Sequence, residues 1–414
     1  MKKIIANDLA SNNTVTEAIR ALLLSFTFTF WLQPSTSKRA RLLLAKSIGT
    51  SSDKIYLVDS GRTALAMVLK GLNLSESSEV LLQAFSCIVV PNAVLQAGLV
   101  PVVCEVNPTD YNIDLTHAEK KVTKNTKVLI VQHTFGVVCD MQKVMKFCEK
   151  HQLILVEDCA HALGSSYTYQ KKNLPVGSLG SAAIYSFGRD KVISTTIGGA
   201  IRLNDTMVTI QESYDQLPEM TYLRELKSLA YIWLCVIWVR PFYYIASIGK
   251  FVLFSAQKIG IIESVYTSSE EQFTNKLEQP SRYGPRLASI LISQLLHLPK
   301  TQSHRKRICN IYQKYIDNSV QPENGFRFLV KTEGFLRSFE EYVKMLRFQE
   351  EVLVGTWYTV PFLPDKNSDL SRINYNPTST PKTLRLISGG VLNLPTNRKV
   401  SVEDAERIVE VFIR

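Results

Sequence analysis

Short apolar runs alternate with amphipathic stretches between residues 55 and 205. An apolar run bounded by turn residues predicts a strand, and apolar residues spaced at the helical repeat predict a helix. The pattern predicts strands at 55–58, 80–82, 100–103, 127–132, 153–156 and 182–186, and helices at 63–72, 89–98 and 140–151. Strands and helices that alternate at this spacing form a largely parallel sheet covered by helices, with ligands beyond the carboxyl ends of the strands.

The pattern changes after about residue 280. Two long amphipathic helices are predicted at 288–298 and 304–316, followed by a strand at 325–330 and a closing helix at 402–413. Ser401 and Asp404 stand in the spacing of a helix N-terminal capping pair at the start of that last helix. We interpret this part of the chain as a smaller α+β domain.

A strongly apolar segment separates the two patterns. Residues 229–239 carry no charge, Pro241 follows, and 242–262 are charged only at Lys250 and Lys258. The sequence therefore predicts three units: an N-terminal segment with a large ligand-binding domain at 1–212, an apolar helical insertion at 213–275, and a small domain at 276–414. The aromatic alternation at 25–32 fits a strand or one face of a helix, and periodicity does not decide between them.

Composition and charge narrow the class of protein. The chain has 414 residues, of which 45% are hydrophobic and 21% charged, which excludes a largely disordered chain. The net charge of +11 favours an anionic partner: a phosphorylated substrate, a membrane surface or nucleic acid. No basic helix or aromatic-interleaved basic patch is evident, so nucleic acid is not expected. Seven cysteines without a C-x-x-C pair argue against a zinc ribbon or a disulfide framework. We expect a cytoplasmic protein without a secretory signal.

Chemically suggestive residues follow several predicted strands. Residues 59–65 turn from a strand through Gly61 into a helix, an arrangement that presents backbone N–H groups to a phosphate. Phe85 follows the next strand and would suit stacking on a planar ring, although a core phenylalanine is the commoner case. Each signal is weak by itself.

An acid and a lysine follow two further strands. Asp158 would hold a ring nitrogen protonated at the ligand edge of the sheet, or would simply cap a helix. Lys191 follows a buried strand among small and hydroxyl residues, where partial loss of water would make it a Schiff-base nucleophile; the alternative is an ordinary surface lysine. Ser186 would bind an anion or satisfy the strand end.

Taken in this order, these stretches resemble the DegT family of pyridoxal-phosphate sugar aminotransferases, of fold type I. The family's marks read SGRTAL, EDCAHALG and SFGRDK in this chain, the last followed by Gly198-Gly199. The resemblance runs over about 50–205 and resumes near 280. It implies a large domain with a mostly parallel seven-stranded sheet covered by helices, and a smaller C-terminal α+β domain.

The resemblance also implies residue roles. Lys191 would bind pyridoxal 5′-phosphate covalently and move a proton during catalysis, and Asp158 would pair with the pyridinium nitrogen. Phe85 would stack on the ring. The phosphate would be held at the turn that begins with Gly61, by the backbone of Arg62 and Thr63 and by the hydroxyl of Ser186.

Other positions differ from the family pattern. His161 stands where many relatives have Gln, near the 3′ oxygen of the ring, with a structural histidine as the alternative. His133 and Arg282 are candidate substrate residues, and in relatives the arginine reaches the neighbouring subunit's site. Pro280 takes the place of an Asn and offers no donor for a phosphate contact across the dimer. No metal is expected.

The implied activity is transfer of an amino group, commonly from glutamate, to a nucleotide- or lipid-linked keto-sugar in surface polysaccharide or glycoconjugate biosynthesis, carried out by a homodimer. One alternative is a non-transaminating dehydratase, but related dehydratases carry His where this chain has Lys191. Another is a cofactor-binding regulatory or scaffold protein.

Two interpretations of the apolar segment 222–262 stay open. Residues 229–239 are too short to span a membrane, which takes roughly 20 residues. Interfacial aromatics and cations in this segment fit a helical pair lying on an anionic membrane, and the protein would then be peripheral on the inner face of the cell membrane. The alternative is a buried arm in a dimer interface.

Overall fold

The computed structural model describes residues 4–26, 34–245, 247–263, 279–317, 319–355, 357–364 and 370–413. Its strands are β1 (Ile5–Ala6), β2 (Ile55–Val58), β3 (Glu79–Gln83), β4 (Ser86–Cys87), β5 (Val100–Cys104), β6 (Thr126–Gln132), β7 (Ile154–Asp158), β8 (Ser166–Tyr169), β9 (Lys172–Pro175), β10 (Ala182–Ser186), β11 (Gly199–Leu203), β12 (Ser319–Val320), β13 (Phe328–Lys331), β14 (Val352–Leu353), β15 (Phe362–Leu363) and β16 (Val391–Leu394).

The helices cover both faces of the main sheet and build most of the C-terminal part. They are α1 (Val15–Phe26), α2 (Pro34–Ser47), α3 (Gly61–Lys70), α4 (Val89–Gln96), α5 (Leu115–Glu119), α6 (Met141–His151), α7 (Gln211–Asp215), α8 (Tyr222–Trp233), α9 (Ile248–Lys258), α10 (Pro285–Tyr315), α11 (Phe339–Phe348), α12 (Pro381–Gly389) and α13 (Val402–Ile413). Short 3₁₀ turns lie at Ser52–Lys54, Thr134–Gly136, Leu370–Ile373 and Pro377–Ser379.

The main sheet has seven strands in the order β2-β11-β10-β7-β6-β3-β5. Strand β11 runs antiparallel to β2 and β10, and the other neighbouring pairs are parallel. Each predicted strand between residues 55 and 186 is present, with bounds that differ by at most a few residues. The predicted fold class is therefore confirmed.

Alternating side chains of the central strand β6 build the core on both sides of the sheet. Val128 and Ile130 join the apolar cluster beneath α3 and α4, whereas Leu129 and Val131 join the cluster beneath α2, α6, α8 and α10. A strand buried on both faces has a continuous apolar sequence, which explains why β6 is so distinct in the chain. Strands β7 and β10 are parallel neighbours, so their carboxyl ends lie side by side at one edge of the sheet.

The C-terminal part has its own apolar core. Strands β12, β13 and β16 form an antiparallel sheet, which packs with α11, α13 and the second half of α10. Ile5 of β1 pairs with Val352 of β14 and belongs to the same core, so the start of the chain is joined to its C-terminal part. The division at residues 212 and 275 stays a prediction.

One continuous helix replaces the two predicted at 288–298 and 304–316. Helix α10 runs through Pro299 without ending. Leu295 and Leu298 before this proline and Ile308 after it are all buried. Packing along both halves therefore outweighs the hydrogen bond that a proline removes from a helix. The predicted strand at 325–330 is shifted to β13, and the helix at 402–413 is confirmed as α13.

The described part of the apolar insertion is largely helical. Helix α8 continues into a π-helical turn at Leu234–Val239, and α9 follows after a short connection. No helix in the described parts of the chain is both long and apolar enough to cross a membrane. Helix α1 ends at Phe26, and the remainder of the aromatic alternation at 25–32 lies outside the described residues.

Candidate active site

A cavity of about 400 Å³ lies at the carboxyl edge of the main sheet. Strands β2, β7 and β10 each end at its wall, which brings together residues that are far apart in the sequence. The lining includes Ser60, Gly61, Asp158, His161, Ser186 and Lys191. Topology thus places the predicted turn, acid and lysine around one space, as expected for the ligand edge of an open α/β sheet.

The N-terminus of α3 forms one side of this cavity. The Ser60 hydroxyl caps the helix by accepting the Thr63 N–H at 3.0 Å. A Cβ atom on Gly61 would lie 2.9 Å from the Cβ of Ser186, so glycine is required for this close approach. The helix end and the Ser186 hydroxyl therefore lie together, with the positive end of the helix dipole directed at the cavity.

Thr63 does not fit its predicted role. Its side chain is buried, it is not part of the cavity wall, and its N–H is already bound by the Ser60 cap. Of the predicted phosphate-binding turn, Gly61 and Arg62 line the cavity. The prediction missed this because a capping serine competes with a ligand for the same N–H group.

Asp158 ends β7 with its carboxylate on the cavity wall. Its Oδ1 accepts the N–H of Ala160 at 2.9 Å, and its side chain is buried. Burial raises the pKa of Asp158, while the nearby cationic form of Lys191 acts in the opposite direction. A buried carboxylate with one backbone partner remains able to accept a hydrogen bond from a cationic ring N–H in the cavity.

Lys191 and His161 form the central hydrogen bond of the site. The Nδ1 atom of His161 accepts the N–H of Phe135 at 3.2 Å, which assigns the ring proton to Nε2. This Nε2 lies 2.9 Å from the Nζ of Lys191. The imidazole N–H therefore donates to the amine, which accepts through a lone pair that only a neutral lysine has.

Burial favours the neutral form of both partners. It lowers the pKa of His161 well below its ordinary value and also lowers the pKa of Lys191. The Asp158 carboxylate raises the pKa of Lys191, and the Arg327 guanidinium lowers it further. A neutral amine on a cavity wall is a nucleophile, which the predicted role of Lys191 requires.

The backbone around Lys191 is held from two other parts of the chain. The side-chain amide of Asn12 donates to the Lys191 carbonyl at 2.6 Å. The amide of Gln294 in α10 accepts the Ser194 N–H and donates to the Ser194 carbonyl, each at 2.7 Å. The lysine loop is therefore held by the half-buried Asn12 and the buried Gln294, which no local sequence motif includes.

Phe85 does not lie where the sequence predicts. It is completely buried, has a positive φ of 61°, and packs with Tyr111, Phe135 and Tyr358 rather than lining the cavity. Cys87, two residues later, lines the cavity instead. The core alternative for this phenylalanine is thus correct, because the left-handed turn at Phe85 directs its ring into the aromatic cluster.

The two candidate substrate residues also lie away from the cavity. His133 is completely buried; its Nδ1 accepts the N–H of Cys139, and its Nε2 contacts Glu157 at 3.2 Å. Arg282 forms an ion pair with Glu219, with 3.1 Å between its Nε and the carboxylate, and lines a separate surface cavity. Neither His133 nor Arg282 lines the cavity of its own chain.

The C-terminal part contributes two aromatic residues that sequence reasoning missed. Trp357 and Tyr358 line the cavity. The Trp357 ring lies 5.7 Å from the His161 ring and 5.3 Å from the Lys191 Nζ. These residues lie in the connection between β14 and β15, where no strand-end pattern points to them, so only their contacts reveal them.

Among the described residues, four basic side chains besides Lys191 also line the cavity. They are Arg62 and Arg189, near sequence motifs, and Arg224 and Lys227 from the insertion. Arg224 bonds the buried Asp59 carboxylate at 2.6 Å. The proximity of Arg189 to Lys191 in the sequence could have identified it, whereas nothing in the sequence connects α8 with the site. The cavity is suited to an anionic ligand.

Comparison with known proteins agrees with this site. Residues 47–215 match the family described as the DegT/DnrJ/EryC1/StrS aminotransferase family, which confirms the predicted resemblance over this part of the chain. GDP-perosamine synthase of Caulobacter vibrioides is 33% identical over 36% of this chain and 38% of the relative. L-Glutamine:scyllo-inosose aminotransferase of Streptomyces griseus is 29% identical over 38% of this chain and 36% of the relative. The matches thus span less than half of the length of these curated relatives.

Solved structures extend the likeness to the complete fold. The PLP form of the putative sugar aminotransferase Spr1654 from Streptococcus pneumoniae has a TM-score of 0.72, with 18% identity, over 100% of this chain and 97% of the other. Helicobacter pylori PseC, an aminotransferase involved in the biosynthesis of pseudoaminic acid, also has a TM-score of 0.72, with 17% identity, over 100% and 98%. The chain has the fold of type I pyridoxal-phosphate aminotransferases.

Proposed function

We propose that this protein is a pyridoxal-phosphate-dependent aminotransferase that transfers an amino group to a keto-sugar. The observation that carries this proposal is the position of the Lys191 amine. Its Nζ lies 2.9 Å from the Nε2 of His161, on the wall of a cavity that also contains Asp158 and the N-terminus of α3. Few reactions need a nucleophilic amine, a buried carboxylate and an anion cradle in one space.

The residues of the cavity fit the cofactor. Gly61 leaves room that a Cβ atom would fill, next to the Ser186 hydroxyl and the positive helix end, as a phosphate group requires. Asp158 suits a protonated ring nitrogen. Lys191 suits the aldehyde carbon. When bound, pyridoxal phosphate would supply an electron sink for the carbanion that develops at the amine-bearing carbon.

The chain's own residues hold and move protons around this group. Burial lowers the pKa of Lys191 and so favours its unprotonated form, and the unprotonated Nζ can accept a proton. Since its Nδ1 is bound to the Phe135 N–H, His161 keeps its proton on Nε2 and directs it at the lysine amine. The Trp357 ring, from the C-terminal part, borders the same space.

We assign a keto-sugar as acceptor and glutamate as amino donor. The names of the relatives support the sugar, because GDP-perosamine synthase and scyllo-inosose aminotransferases are enzymes of sugar-like substrates. The basic lining, Arg62, Arg189, Arg224 and Lys227, supports an acceptor linked to phosphate, as in a nucleotide- or lipid-linked sugar. Surface polysaccharide or glycoconjugate biosynthesis is the process that such a product would serve.

The same proposal includes two assemblies. A homodimer would give Arg282, which lies outside its own cavity, a site to serve in the partner. Attachment of a cytoplasmic protein to the inner face of the cell membrane would occupy the apolar segment 222–262. It would be peripheral, as no helix in the described part of the chain can span a membrane.

A trapping experiment tests the proposed function. Protein incubated with pyridoxal phosphate and then reduced with borohydride should carry the cofactor on the peptide that contains Lys191, with a visible absorbance band before reduction. Glutamate should bleach the band and yield 2-oxoglutarate. Lys191→Ala should lose both signals, and Lys171→Ala, an exposed lysine, should retain them. A labelled peptide other than that of Lys191, or none, would refute the assignment.

A further inference from the structure

Helix α9 is apolar on two opposite faces. Gly249 and Ala256 are buried, and a Cβ atom on Gly249 would collide with the carbonyl of Val239, so this face is packed tightly on the π-helical turn. The opposite face carries Ile248, Phe251 and Phe254 at the helical spacing of three residues. Phe251 is 70% exposed and Phe254 is 62% exposed. Such a pair of phenylalanines is unfavourable in water.

The exposed apolar surface extends beyond the helix. Ile259, directly after α9, is 69% exposed. Lys250 and Lys258 are exposed on the same helix. The sequence has no acidic residue between Glu225 and Glu263, so this part of the chain carries cations and no acid of its own. We call Ile248, Phe251, Phe254 and Ile259, with Lys250 and Lys258, the α9 surface.

We propose that the α9 surface docks into the headgroup region of an anionic membrane and presents the active-site cavity to a lipid-linked sugar. A short helix with large apolar side chains and adjacent lysines matches the physics of interfacial binding. Burial of the phenylalanines away from water favours docking, and each lysine near an anionic surface is attracted to it.

Charge argues against a second copy of the chain as the partner of this surface. In a two-fold interface the same patch meets itself. Lys250 and Lys258 of the two copies would then approach each other with no carboxylate from this segment between them. Like charges at an interface oppose association, whereas the phosphates of anionic lipids would be complementary to them.

The insertion also forms part of the cavity wall. Arg224 and Lys227 of α8 line the cavity, and so does Glu263, a few residues after α9. The Arg189 guanidinium lies 4.0 Å from the centre of the Tyr231 ring and donates to the Glu263 carbonyl, which ties the lysine loop to the insertion. A docked α9 would hold this wall next to the membrane.

The position of that wall leads to the substrate class, which rests on the proposed aminotransferase function. An acceptor on a lipid carrier would stay in the membrane at its apolar end. Its linking phosphate would meet Arg224 and Lys227, and its keto group would enter the cavity. A nucleotide-linked sugar gains nothing from docking, because it diffuses freely in water.

Flotation of the cofactor-loaded protein tests the docking surface. The probes are vesicles of phosphatidylcholine alone and vesicles with about 30% phosphatidylglycerol. Wild type should float with the anionic vesicles. Phe251→Ser/Phe254→Ser should bind them at least about tenfold more weakly, since this variant has no large apolar side chains at these two positions to bury in the membrane. Lys250→Glu/Lys258→Glu should lose the preference for the anionic vesicles. Leu336→Ser is the matched control, because Leu336 is 95% exposed outside this surface, and it should bind like wild type.

Two outcomes would overturn the docking. One is equal flotation of wild type and the Phe251→Ser/Phe254→Ser variant. The other is a halved molar mass of that variant in light scattering, which would make the α9 surface an interface between copies. Retained cofactor absorbance shows that the variants are folded. If wild type shows no cofactor absorbance band, the proposed function is refuted, but the flotation result still tests the docking surface.

A pair of acceptors tests the substrate class. The same keto-sugar diphosphate is supplied either on a polyprenyl lipid in anionic vesicles or on a nucleoside in solution, and the amino-sugar is measured by mass spectrometry. Wild type should convert the lipid-linked acceptor at least about tenfold faster, a difference of about 1.4 kcal/mol. Phe251→Ser/Phe254→Ser should lose this advantage and keep its rate on the soluble acceptor. A preference for the soluble acceptor, or an advantage that survives in the variant, would refute the inference.

Discussion

At the scale of single residues, the site depends on where one proton lies. The Phe135 N–H bound to Nδ1 fixes the His161 tautomer, and the tautomer in turn makes the Lys191 amine an acceptor. Burial acts in the same direction by lowering the pKa of both groups. A backbone N–H two contacts away therefore prepares the amine for reaction.

The first prediction concerns the pH dependence of cofactor addition. Only the neutral amine reacts, so the rate of addition should rise with pH around a midpoint below the ordinary lysine value of 10.5, because burial lowers the pKa of Lys191. The Asp158 carboxylate raises this pKa, and Asp158→Asn should therefore move the midpoint to lower pH. Stopped-flow absorbance against pH measures it. Asp140→Asn, at an exposed helix cap, should leave the midpoint unchanged, and an upward shift in Asp158→Asn would contradict the assignment.

The second prediction compares two glycines of the cavity. A Cβ on Gly61 would lie 2.9 Å from the Ser186 Cβ, whereas a Cβ on Gly188 would meet its nearest neighbour at 3.6 Å, an ordinary contact. Gly61→Ala should therefore displace the helix end from Ser186 and weaken binding of pyridoxal phosphate by about tenfold, which is about 1.4 kcal/mol. Gly188→Ala should bind nearly as wild type. Equilibrium titration of the apoprotein gives both constants, and equal affinities would show that the turn does not hold the phosphate.

At the scale of elements, α10 links the two parts of the molecule. Its first half packs under the main sheet, where Gln294 holds both backbone groups of Ser194, and its second half packs in the C-terminal core. Continuity through Pro299 keeps these two contacts in a fixed relation. The helix therefore positions the lysine loop relative to the C-terminal aromatic residues.

The third prediction tests this brace. Gln294→Leu removes both partners of the buried Ser194 backbone and should lower the free energy of unfolding by about 1–3 kcal/mol, since buried N–H and C=O groups lose their hydrogen bonds. Catalysis should fall as well because Lys191 lies in the same loop. Gln142→Leu, on the exposed side of α6, is the control and should change stability by less than about 0.5 kcal/mol. Urea unfolding measures both, and a neutral Gln294→Leu would show that the loop is held without this amide.

At the scale of the whole molecule, the cavity is assembled from distant segments. The main sheet supplies Asp158 and Lys191, the insertion supplies Arg224, and the C-terminal part supplies Trp357. Arg282 lies outside this cavity, at a separate surface. In the proposed homodimer, Arg282 would serve the cavity of the partner subunit.

The fourth prediction is complementation between subunits. Lys191→Ala and Arg282→Ala should each be nearly inactive alone. In a one-to-one mixture of exchanged dimers, half are mixed, and one of their two sites is intact, so activity should return to about a quarter of wild type. Mixing Lys191→Ala with Lys191→Ala/Arg282→Ala is the control and should restore nothing. Transaminase activity after subunit exchange measures the effect, and an active Arg282→Ala protein would contradict the cross-subunit role.

Much of the fold could be predicted because its strands are buried on both faces. The continuous apolar sequence of β6 and the turn at Gly61 are local signals, and the structure confirms them. The break predicted near Pro299 was wrong because packing on both sides of the proline overrides its local effect. The predicted ring contact of Phe85 failed for a similar reason: its direction depends on one left-handed backbone angle that no sequence pattern specifies.

The sequence by itself determined six of the seven strands of the main sheet, the lysine and acid at the strand ends, and the glycine turn, since each follows from short-range pattern and residue chemistry. Tertiary structure alone decided which proton His161 carries, that Trp357 and Tyr358 enclose the cavity, and that the insertion borders it. These features depend on contacts between residues far apart in the chain, and such contacts exist only after the sheet and α10 have brought the segments together.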